Sequence, residues 1–454
     1  MTAQLTFLRG VGTVTGSKYL LTFGGQRVLA DCGLFQGFKK LRQKNWAPLP
    51  IEPSEIDAVV LTHAHLDHSG YLPLLVRNGF KGPVYATSAT TELCGILLPD
   101  SGHLQERDAE FANRHGFSKH RPAAPLYTER GARNCLGHFR ACPYEVDTEV
   151  IDALQIRFLL AGHILGSAFV RVSFGGRSLL FSGDIGRPNS ATMVDPTIVR
   201  GADYLIMEST YGNRLHDRVN VEDALAETIS RVAARGGTVL IPAFAVGRAQ
   251  SILFHLQRLK ASKRIPDLPV FLDSPMAVSA SEVFCRHMKE HRLTAEECQA
   301  ACNVATYVRE AEESKALDEN PMPKIIISAS GMATGGRILH HLKFYVPDER
   351  HAVLFTGFQA GGTRGASLVA GVKSVKIHGR HIPIRAEIAN LSMLSAHADA
   401  DEILTWLGNF TQPPKRTYIT HGEPDASEAL RVRISDELQW PCVVPEYGDQ
   451  ATLD

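Results

Sequence analysis

The sequence of 454 residues lacks an excess of charge of either sign, because 48 Lys and Arg residues balance 48 Asp and Glu residues. This balance argues against non-specific coating of nucleic acid by a basic surface, although a local basic groove stays open. No apolar run approaches the ~20 residues that a membrane helix needs. The first residues carry neither the basic start nor the apolar run of a signal peptide. We therefore expect a cytoplasmic protein without a membrane partner.

Closely spaced cysteine pairs are also absent. The eight cysteines include no Cys-x-x-Cys motif, whereas the sequence contains 19 histidines. We expect reduced thiols, and we expect imidazole rather than thiolate as the ligand of any metal. A chain of 454 residues is too long for one ordinary core, so at least two domains are expected.

The densest group of chemically active residues is the run His63-Ala64-His65-Leu66-Asp67-His68. An apolar segment, residues 56–61, reads as a buried strand that ends just before this run. Sites in α/β proteins form at the carboxyl ends of strands. His63 and His65 can converge on one metal ion, and Asp67 and His68 suit a second.

Other residues of ligand type follow predicted strands further along the chain. Asp31 ends the strand at residues 27–31, and we expect it to face the same site as the histidine run. His163 and Asp184 each follow a glycine at a strand end, and we expect that glycine to allow a sharp turn and leave room for a metal. His397 and His421 lie at the ends of the last strands.

The number of ligands indicates two metal ions. Seven residues at strand or loop ends qualify, with His397 left over: His63, His65, Asp67, His68, His163, Asp184 and His421. One catalytic zinc needs fewer, because it keeps a position open for water. Asp184 is the natural bridge, since a carboxylate has two oxygens.

We assign the first ion to His63, His65, His163 and Asp184, and the second to Asp67, His68, Asp184 and His421. A hydroxide between two ions ~3.5–4 Å apart is a nucleophile at neutral pH. Imidazole-rich ligation favours two zinc ions per chain, with manganese left open.

The pattern of the chain changes after residue 207. Helices and strands then alternate, which is typical of a parallel sheet. The late strand ends again carry histidine and glycine, so the middle of the chain is expected to be inserted into the first domain. The predicted domains are residues 1–207, an insertion at 208–380, and a return segment at 381–454.

These motifs resemble those of the β-CASP nucleases of the metallo-β-lactamase fold. Asp31, the run 63–68, His163 and Asp184 are similar to the motifs of the wider fold, and Glu208, His397 and His421 are similar to those of β-CASP members. The resemblance covers nearly the whole chain, including residues 241–250 and 330–332. It extends to bacterial homologues of the catalytic subunit of the pre-mRNA 3′-end cleavage factor. It implies an αββα sandwich with an inserted parallel α/β β-CASP domain.

The resemblance also implies a function. A zinc-dependent ribonuclease of this kind hydrolyses single-stranded RNA in RNA processing or decay and leaves 5′-phosphate and 3′-hydroxyl ends. In it His397 is the general acid, Glu208 holds His397, and Asp31 supports the metal shell, beside the catalytic carboxylates Asp67 and Asp184. Internal cutting and trimming from 5′ ends both stay open, as does a homo-oligomeric state.

Two glycine-rich loops in the insertion are candidates for binding RNA. Ser330 and Gly331 begin one loop, and residues 357–365 form the other. Free backbone N–H groups there could bind phosphates, with Arg337 and Arg364 adding charge. Either loop alone would more often be ordinary turn chemistry.

Three alternative functions compete with the ribonuclease. The first is a DNA nuclease of the same superfamily, but His421 favours RNA by the resemblance. The second is a small-molecule metallo-hydrolase, such as a thioesterase or lactonase, against which the insertion with Glu208 argues. The third is a non-catalytic scaffold, which the complete set of ligands makes the weakest.

Overall fold

The computed structural model describes residues 2–116 and 118–454. These residues divide into two compact units, the first made of residues 1–215 and 397–454 and the second of residues 216–396. The chain leaves the first unit once and returns to it once. The second unit is therefore an insertion into the first.

The first segment of the chain, up to residue 215, is built mainly from strands. Its strands are β1 Ala3–Arg9, β2 Lys18–Phe23, β3 Gln26–Ala30, β4 Ala58–Val60, β5 Val84–Thr87, β6 Phe139–Cys142, β7 Thr148–Ile151, β8 Leu154–Leu160, β9 Ala168–Phe174, β10 Arg177–Phe181 and β11 Tyr204–Glu208. Its helices are α1 Lys39–Lys44, α2 Leu66–Ser69, α3 Leu72–Arg77, α4 Ser88–His115 and α5 Glu129–Cys135.

The inserted unit alternates helices and strands, as predicted. Its strands are β12 Val239–Pro242, β13 Val270–Asp273, β14 Thr306–Tyr307, β15 Ile325–Ser328, β16 Ala352–Phe355, β17 Ser374–Ile377, β18 Arg380–Pro383 and β19 Glu387–Asn390. Its helices are α6 Val221–Ala234, α7 Arg248–Ala261, α8 Pro275–Arg286, α9 Ala295–Asn303, α10 Ala311–Glu319, α11 Ile338–Tyr345 and α12 Arg364–Val369.

The return segment completes the first unit. Its elements are α13 Ala400–Leu407, β20 Arg416–Thr420, α14 Pro424–Leu438, β21 Cys442–Val443 and β22 Gln450–Leu453. None of the helices in residues 2–116 and 118–454 combines the length and the apolar character that crossing a bilayer requires.

Two seven-stranded sheets form the body of the first unit. Their orders are β22-β1-β2-β3-β4-β5-β6 and β21-β20-β11-β10-β9-β8-β7. Alternate residues of β9 point to opposite faces. Val170 packs with Phe7 and Tyr19 of the other sheet in one core, whereas Phe169 packs with Ile403 of α13 in a second core. With α4 against β5 and β6 on the outside of the first sheet, the layers are αββα, as predicted.

The inserted unit is built on a six-stranded sheet of order β14-β13-β15-β12-β16-β19, in which every pairing is parallel. Its central strands β12, β15 and β16 are fully buried, as expected for a parallel sheet covered on both faces. A separate hairpin joins β17 and β18.

The compact units begin and end at different residues from the predicted domains. Glu208 ends β11, which pairs with β10 and β20, so residues 208–215 stay with the first unit. The strand β19 pairs with β16, so residues 381–396 stay with the inserted unit. Hydrogen bonding between strands far apart in sequence decides both boundaries.

The expectation of reduced cysteines is wrong for two of the eight. Cys285 on α8 and Cys298 on α9 form a disulfide. The remaining six cysteines are free thiols, and Cys32, Cys94, Cys135 and Cys142 among them are buried. The fold brings α8 and α9 together, and the spacing of 13 residues between the two cysteines does not reveal that contact.

Candidate metal centre

Strand ends of both sheets in the first unit deliver the predicted ligands to one place. The run from His63 to His68 follows β4, and α2 begins inside it. His163 follows β8, Asp184 follows β10, and His421 follows β20. The backbone of Glu208 pairs with that of Thr420 in neighbouring strands, which sets Glu208 next to His421. The sheet topology therefore joins residues from distant parts of the chain.

Asp184 lies at the middle of the cluster, with imidazole nitrogens on both of its oxygens. Nε2 of His63 and Nε2 of His163 lie 3.3 Å and 3.4 Å from Oδ2. Nε2 of His68 and Nε2 of His421 lie 3.2 Å and 3.5 Å from Oδ1. Each oxygen of the carboxylate thus faces a different pair of rings.

The potential ligand atoms fall into two groups. Nδ1 of His65 lies 3.1 Å from Nε2 of His63 and 3.3 Å from Nε2 of His163. Potential ligand atoms of His63, His65, His163 and Asp184 all lie within 4.8 Å of one another, and so do those of Asp67, His68 and His421. Tetrahedral bonds of ~2.0–2.1 Å place neighbouring ligand atoms about 3.3 Å apart. The spacing of the side chains fits metal coordination.

Hydrogen bonding gives a second test of the fit. Nε2 of His68 and Oδ1 of Asp184 are buried and have no hydrogen-bond partner of acceptable geometry. Buried polar atoms are rarely left unsatisfied, because the loss of water costs about 1–3 kcal/mol per group. A cation bound by both atoms would remove that cost. The residues present therefore fit a metal cofactor.

The outward nitrogens of the rings are held by neighbours. Nδ1 of His68 lies 2.7 Å from Oδ2 of Asp31, and Nδ1 of His421 lies 2.7 Å from Oγ of Ser17. Oδ1 of Asp31 also accepts hydrogen bonds from the backbone N–H and the hydroxyl of Thr62, at 2.8 Å and 3.0 Å. Such bonds orient imidazoles that ligate metals through their other nitrogen.

Only some of the residues that hydrogen-bond to these rings could be predicted from the sequence. The prediction includes Asp31, which ends a strand. It misses Ser17 and Thr62, since hydroxyl residues do not mark metal sites. Thr62 could be found as the neighbour of His63, but Ser17 is 404 positions from His421 and has no local signal.

Burial controls protonation in the first ligand group. It lowers the pKa of His63, and it lowers the pKa values of His65 and His163 well below the ordinary histidine value. Burial also lowers the pKa of His421 to about 4. These rings are therefore neutral, which is the form that binds metals.

His68 differs from the other rings. Burial acts to lower its pKa, but the carboxylates of Asp184 and Asp31 outweigh burial and raise the pKa well above the ordinary value. Because a metal and a proton compete for the same nitrogen, metal binding at His68 should release a proton.

His397 lies at the edge of the same cluster and is paired with Glu208. Its Nδ1 lies 3.1 Å and 3.3 Å from the two oxygens of Glu208, and its Nε2 lies 4.0 Å from Oδ2 of Asp184. Burial acts to lower the pKa of His397, but Glu208 and Asp184 together raise it to about 9. Glu208 is itself fixed by backbone N–H groups of Ile185 and Thr210.

The turns that present the ligands need unusual backbone angles. Asp31 and His421 adopt positive φ values of 56° and 47°, which non-glycine residues rarely do. Gly183, before Asp184, has φ 51°, and a Cβ there would lie 2.6 Å from the Cβ of Thr62. The expected turn is present, but protein atoms rather than a metal occupy the space beside the glycine.

Comparison with known proteins matches three family models to consecutive parts of the chain. Residues 11–242 match the metallo-beta-lactamase superfamily, residues 249–368 match the Beta-Casp domain, and residues 381–445 match the Zn-dependent metallo-hydrolase RNA specificity domain. The first model alone covers more than half of the chain. The chain belongs to the β-CASP branch of the metallo-β-lactamase superfamily.

Curated relatives agree with this assignment. The chain is 40% identical over 428 residues to "Ribonuclease TTHA0252" of Thermus thermophilus, covering 92% of each chain. It is 30% identical over 438 residues to "Transcription termination factor FttA" of Methanocaldococcus jannaschii, covering 92% of this chain and 67% of that one. A crystal structure of a protein of unknown function from Enterococcus faecalis V583 superposes with a TM-score of 0.55 over the whole of both chains, at 12% identity, and supports the fold alone.

The assignment confirms the predicted fold and the predicted class of enzyme, a metal-dependent nuclease of the hydrolase type. The two glycine-rich loops named above lie in the inserted unit. Ser330 lies in such a loop, where its hydroxyl contacts that of Thr334 at 3.1 Å. The backbone of Gly331 approaches Phe244 so closely that a Cβ would lie 2.7 Å from the ring.

The two arginines of these β-CASP loops bind protein atoms. The guanidinium of Arg337 donates to the carboxylate of Asp273 and to the carbonyls of Val308 and Arg309. The guanidinium of Arg364 donates to the carbonyls of Lys376, Ala333 and Thr334 at 2.8–3.3 Å. The sequence suggested the charge of these two arginines for binding phosphate. In the structure their guanidinium N–H groups instead bind protein atoms and order the loops.

Proposed function

We propose that this protein is a zinc-dependent ribonuclease that hydrolyses phosphodiester bonds of single-stranded RNA and leaves 5′-phosphate and 3′-hydroxyl ends. The observation that carries the proposal is the pairing of His397 with Glu208 at the edge of two ligand groups that meet at Asp184. The match to an RNA specificity domain and the name of the ribonuclease relative support RNA as the substrate.

The proposed ligands are the two groups described above. One zinc would be held by His63, His65, His163 and Asp184, and the other by Asp67, His68, Asp184 and His421. Zinc held there would supply Lewis acidity toward a phosphate oxygen and a water molecule acidic enough to react at neutral pH. Asp31 and Ser17 orient the rings of His68 and His421 in advance, and His68 would release a proton on binding zinc.

His397 is proposed to protonate the leaving 3′-oxygen. Because Glu208 engages Nδ1, the Nε2–H of His397 is the bond directed toward the cluster. A pKa of about 9 keeps the ring protonated at neutral pH, so it can donate. Glu208 then stabilises and orients the imidazolium, and two backbone N–H groups hold Glu208 in place.

RNA phosphates are proposed to bind the backbone of the loop that begins at Ser330 and Gly331. Arg337 and Arg364 contribute by ordering the loops, because their N–H groups already bind Asp273 and backbone carbonyls. A cytoplasmic location stays part of the proposal.

Cleavage of a 5′-labelled single-stranded RNA by the zinc-loaded chain tests the function. We expect RNA products that disappear in Asp184→Ala and His397→Ala, with single-stranded DNA spared. The product sizes separate internal cutting from 5′ trimming. Absence of RNA products from a chain that retains zinc would overturn the ribonuclease.

The proposed end chemistry has its own test. If water is the nucleophile, one 2′-deoxy substitution at the scissile nucleotide should leave cleavage largely intact. Loss of cleavage with binding preserved would show attack by the 2′-hydroxyl and contradict the proposal.

The role of His397 can be separated from zinc binding by changing the leaving group. A 3′-sulfur leaves as a thiolate and needs little protonation. We expect His397→Ala to lose about a hundredfold or more on normal RNA, and to approach the parent rate on the 3′-thio substrate. An equal loss on both substrates, with zinc content unchanged, would remove the general-acid role.

A further inference from the structure

A short helix on the first unit displays its side chains to solvent instead of burying them. Helix α1, residues 39–44, has no buried residue. Six residues are too few for a helix that is stable alone. We call the α1 surface the side chains of Phe38, Lys39, Lys40, Arg42, Lys44, Trp46 and Tyr447.

Hydrogen bonds from other parts of the first unit nevertheless hold the segment that contains α1 in place. The side chain of Asn45 exchanges two hydrogen bonds of 2.9 Å with the backbone of Phe35, and Nη1 of Arg9 donates to the carbonyl of Lys44 at 2.6 Å. The buried ring of Phe35 packs beneath the Arg9 guanidinium, 5.2 Å from its centroid. The fold thus anchors α1 while leaving its outer face open.

The charge of the α1 surface has one sign along the helix. Lys39, Lys40, Arg42 and Lys44 are all exposed, and residues 32–51 contain no acidic residue. Within the described parts of the chain, none of the four lies within ion-pair distance of a carboxylate. Exposed arginines elsewhere in this unit do pair, as Arg133 does with Glu129 and Arg157 with Asp147.

Large aromatic rings accompany these cations. Phe38 is 54% exposed, Trp46 58% and Tyr447 58%. The Nζ of Lys44 lies 5.9 Å from the centroid of the Tyr447 ring, which joins the C-terminal turn to the helix. Exposed rings interleaved with unpaired cations are the composition of surfaces that bind single-stranded nucleic acid by stacking and charge.

The α1 surface continues directly from the metal centre along the chain. Asp31, whose carboxylate holds His68, is seven residues before Phe38. Seven residues span at most about 25 Å even when fully extended. The start of the α1 surface therefore lies within that distance of Asp31.

We propose that the α1 surface binds single-stranded RNA near the metal centre, with bases stacked on the exposed rings of Trp46, Phe38 and Tyr447 and phosphates on the four cations. This inference rests on the proposed ribonuclease function. A second copy of the chain that docked through the same surface would bring like charges together, because the four cations of this surface have no carboxylate among them.

Tryptophan fluorescence reports binding at this surface directly. Trp46 is 58% exposed, whereas Trp406 and Trp440 are 6% and 7% exposed. We expect a short single-stranded oligouridine to quench the emission and to protect it from acrylamide in the full-length zinc-loaded His397→Ala chain. Unchanged emission and unchanged acrylamide access at saturating RNA would place the binding elsewhere.

A triple variant and a matched control test whether RNA binding depends on the cations of α1 or on the total charge of the unit. The triple variant Lys40→Gln/Arg42→Gln/Lys44→Gln should lower the slope of log affinity against log salt by about 2, at ~0.7 per phosphate contact. The control Arg133→Gln/Arg157→Gln/Arg431→Gln removes the same charge from paired residues of this unit and should leave the slope unchanged. Equal effects of the two triples would overturn the proposal.

Stacking has a separate readout. We expect Trp46→Ala to weaken RNA binding at least about fivefold and Trp46→Phe to retain most of it. In the chain with His397 intact, each variant should raise KM in proportion to its loss of RNA affinity and leave kcat unchanged. Equal affinity of Trp46→Ala and parent, or self-association through the same ring, would contradict the assignment.

The two proposals can fail separately. RNA cleavage with no effect of the α1 variants would remove the surface and keep the ribonuclease. Quenching of Trp46 by RNA, without cleavage by the zinc-loaded parent, would remove the ribonuclease and keep an RNA-binding surface.

Discussion

Each unit of this protein buries a cluster of histidine and carboxylate side chains beside a strand end, and the two clusters are satisfied in different ways. In the inserted unit, His341 lies between two carboxylates, with Nε2 2.7 Å from Asp273 and Nδ1 2.6 Å from Asp318. Arg337 and Ser314 donate to the remaining positions on Asp273. Every charged group there has a partner of opposite charge or a hydrogen-bond donor.

The cluster of the first unit contains acceptors without matching donors. Asp184 faces four rings at 3.2–3.5 Å, which is longer than an ordinary charge-assisted hydrogen bond. Three of those rings, His63, His163 and His421, have lowered pKa values because they are buried. Neutral nitrogens and carboxylate oxygens that converge in this way are the ligands that a metal cation binds.

A buried histidine next to a strand-end aspartate therefore does not by itself indicate a metal. What separates the two clusters is whether hydrogen bonds within the protein complete them. The inserted-unit cluster should therefore govern folding, and the first-unit cluster should govern metal binding and catalysis.

Removing the central carboxylate of the metal cluster should have the largest effect. We expect Asp184→Asn to lower RNA cleavage about a thousandfold or more, because it weakens both ligand groups. Bound metal, measured by mass spectrometry of the dialysed protein, should fall with it. A variant that keeps full metal content and activity would contradict the assignment of metal binding to Asp184.

The matched change in the other cluster should act on stability instead. Asp273→Asn removes a buried carboxylate that holds His341 and Arg337, and such losses cost about 3–5 kcal/mol. We expect a lower urea midpoint for unfolding with metal content unchanged. Loss of metal from a folded Asp273→Asn chain would contradict the separation of the two roles.

The pH dependence of stability tests the structural role of the inserted-unit cluster. Burial acts to lower the pKa of His341, but Asp273 and Asp318 raise it to about 9 in the folded protein. Since the folded pKa lies above the unfolded one, the stabilisation is complete below pH ~6.5 and is lost as pH rises through about 9.

We therefore expect His341→Gln to reduce the free energy of unfolding by roughly 3 kcal/mol more at pH 6 than at pH 10. Denaturant titrations at the two pH values measure the difference. A penalty that is the same at both values would show that His341 is not charged in the fold.

The smallest effect is expected for a residue that supports the metal shell from outside. Asp31→Asn weakens the bond that orients His68 and should lower metal affinity about tenfold to a hundredfold. The control Asp57→Asn changes an exposed carboxylate nearby and should leave metal affinity unchanged. Competition with a chromogenic chelator measures both, and equal affinities would remove Asp31 from the shell.

The sequence allowed much of the metal cluster to be predicted because its ligands share local signals. The run 63–68 is continuous and follows an apolar strand, and His163 and Asp184 each follow a glycine at a strand end. The fold class could be predicted from the alternation of helices and strands after residue 207 and from the resemblance to the β-CASP nucleases.

The remainder depended on contacts that no local pattern encodes. Ser17 holds His421 across 404 positions, and the disulfide joins two helices. Arg337 reads as a cation near a glycine loop, yet it binds Asp273, 64 residues away. Asp273 ends a strand, as Asp31 is expected to do, and its hydrogen bond to His341 on α11 reveals a structural role that the sequence does not show.

The most direct measurement is anomalous X-ray diffraction at the zinc edge from crystals of the zinc-loaded protein. We predict two peaks beside Asp184 in the first unit and none beside Asp273. A peak at Asp273, or no peak at Asp184 in a chain that cleaves RNA, would contradict the contrast between the two clusters.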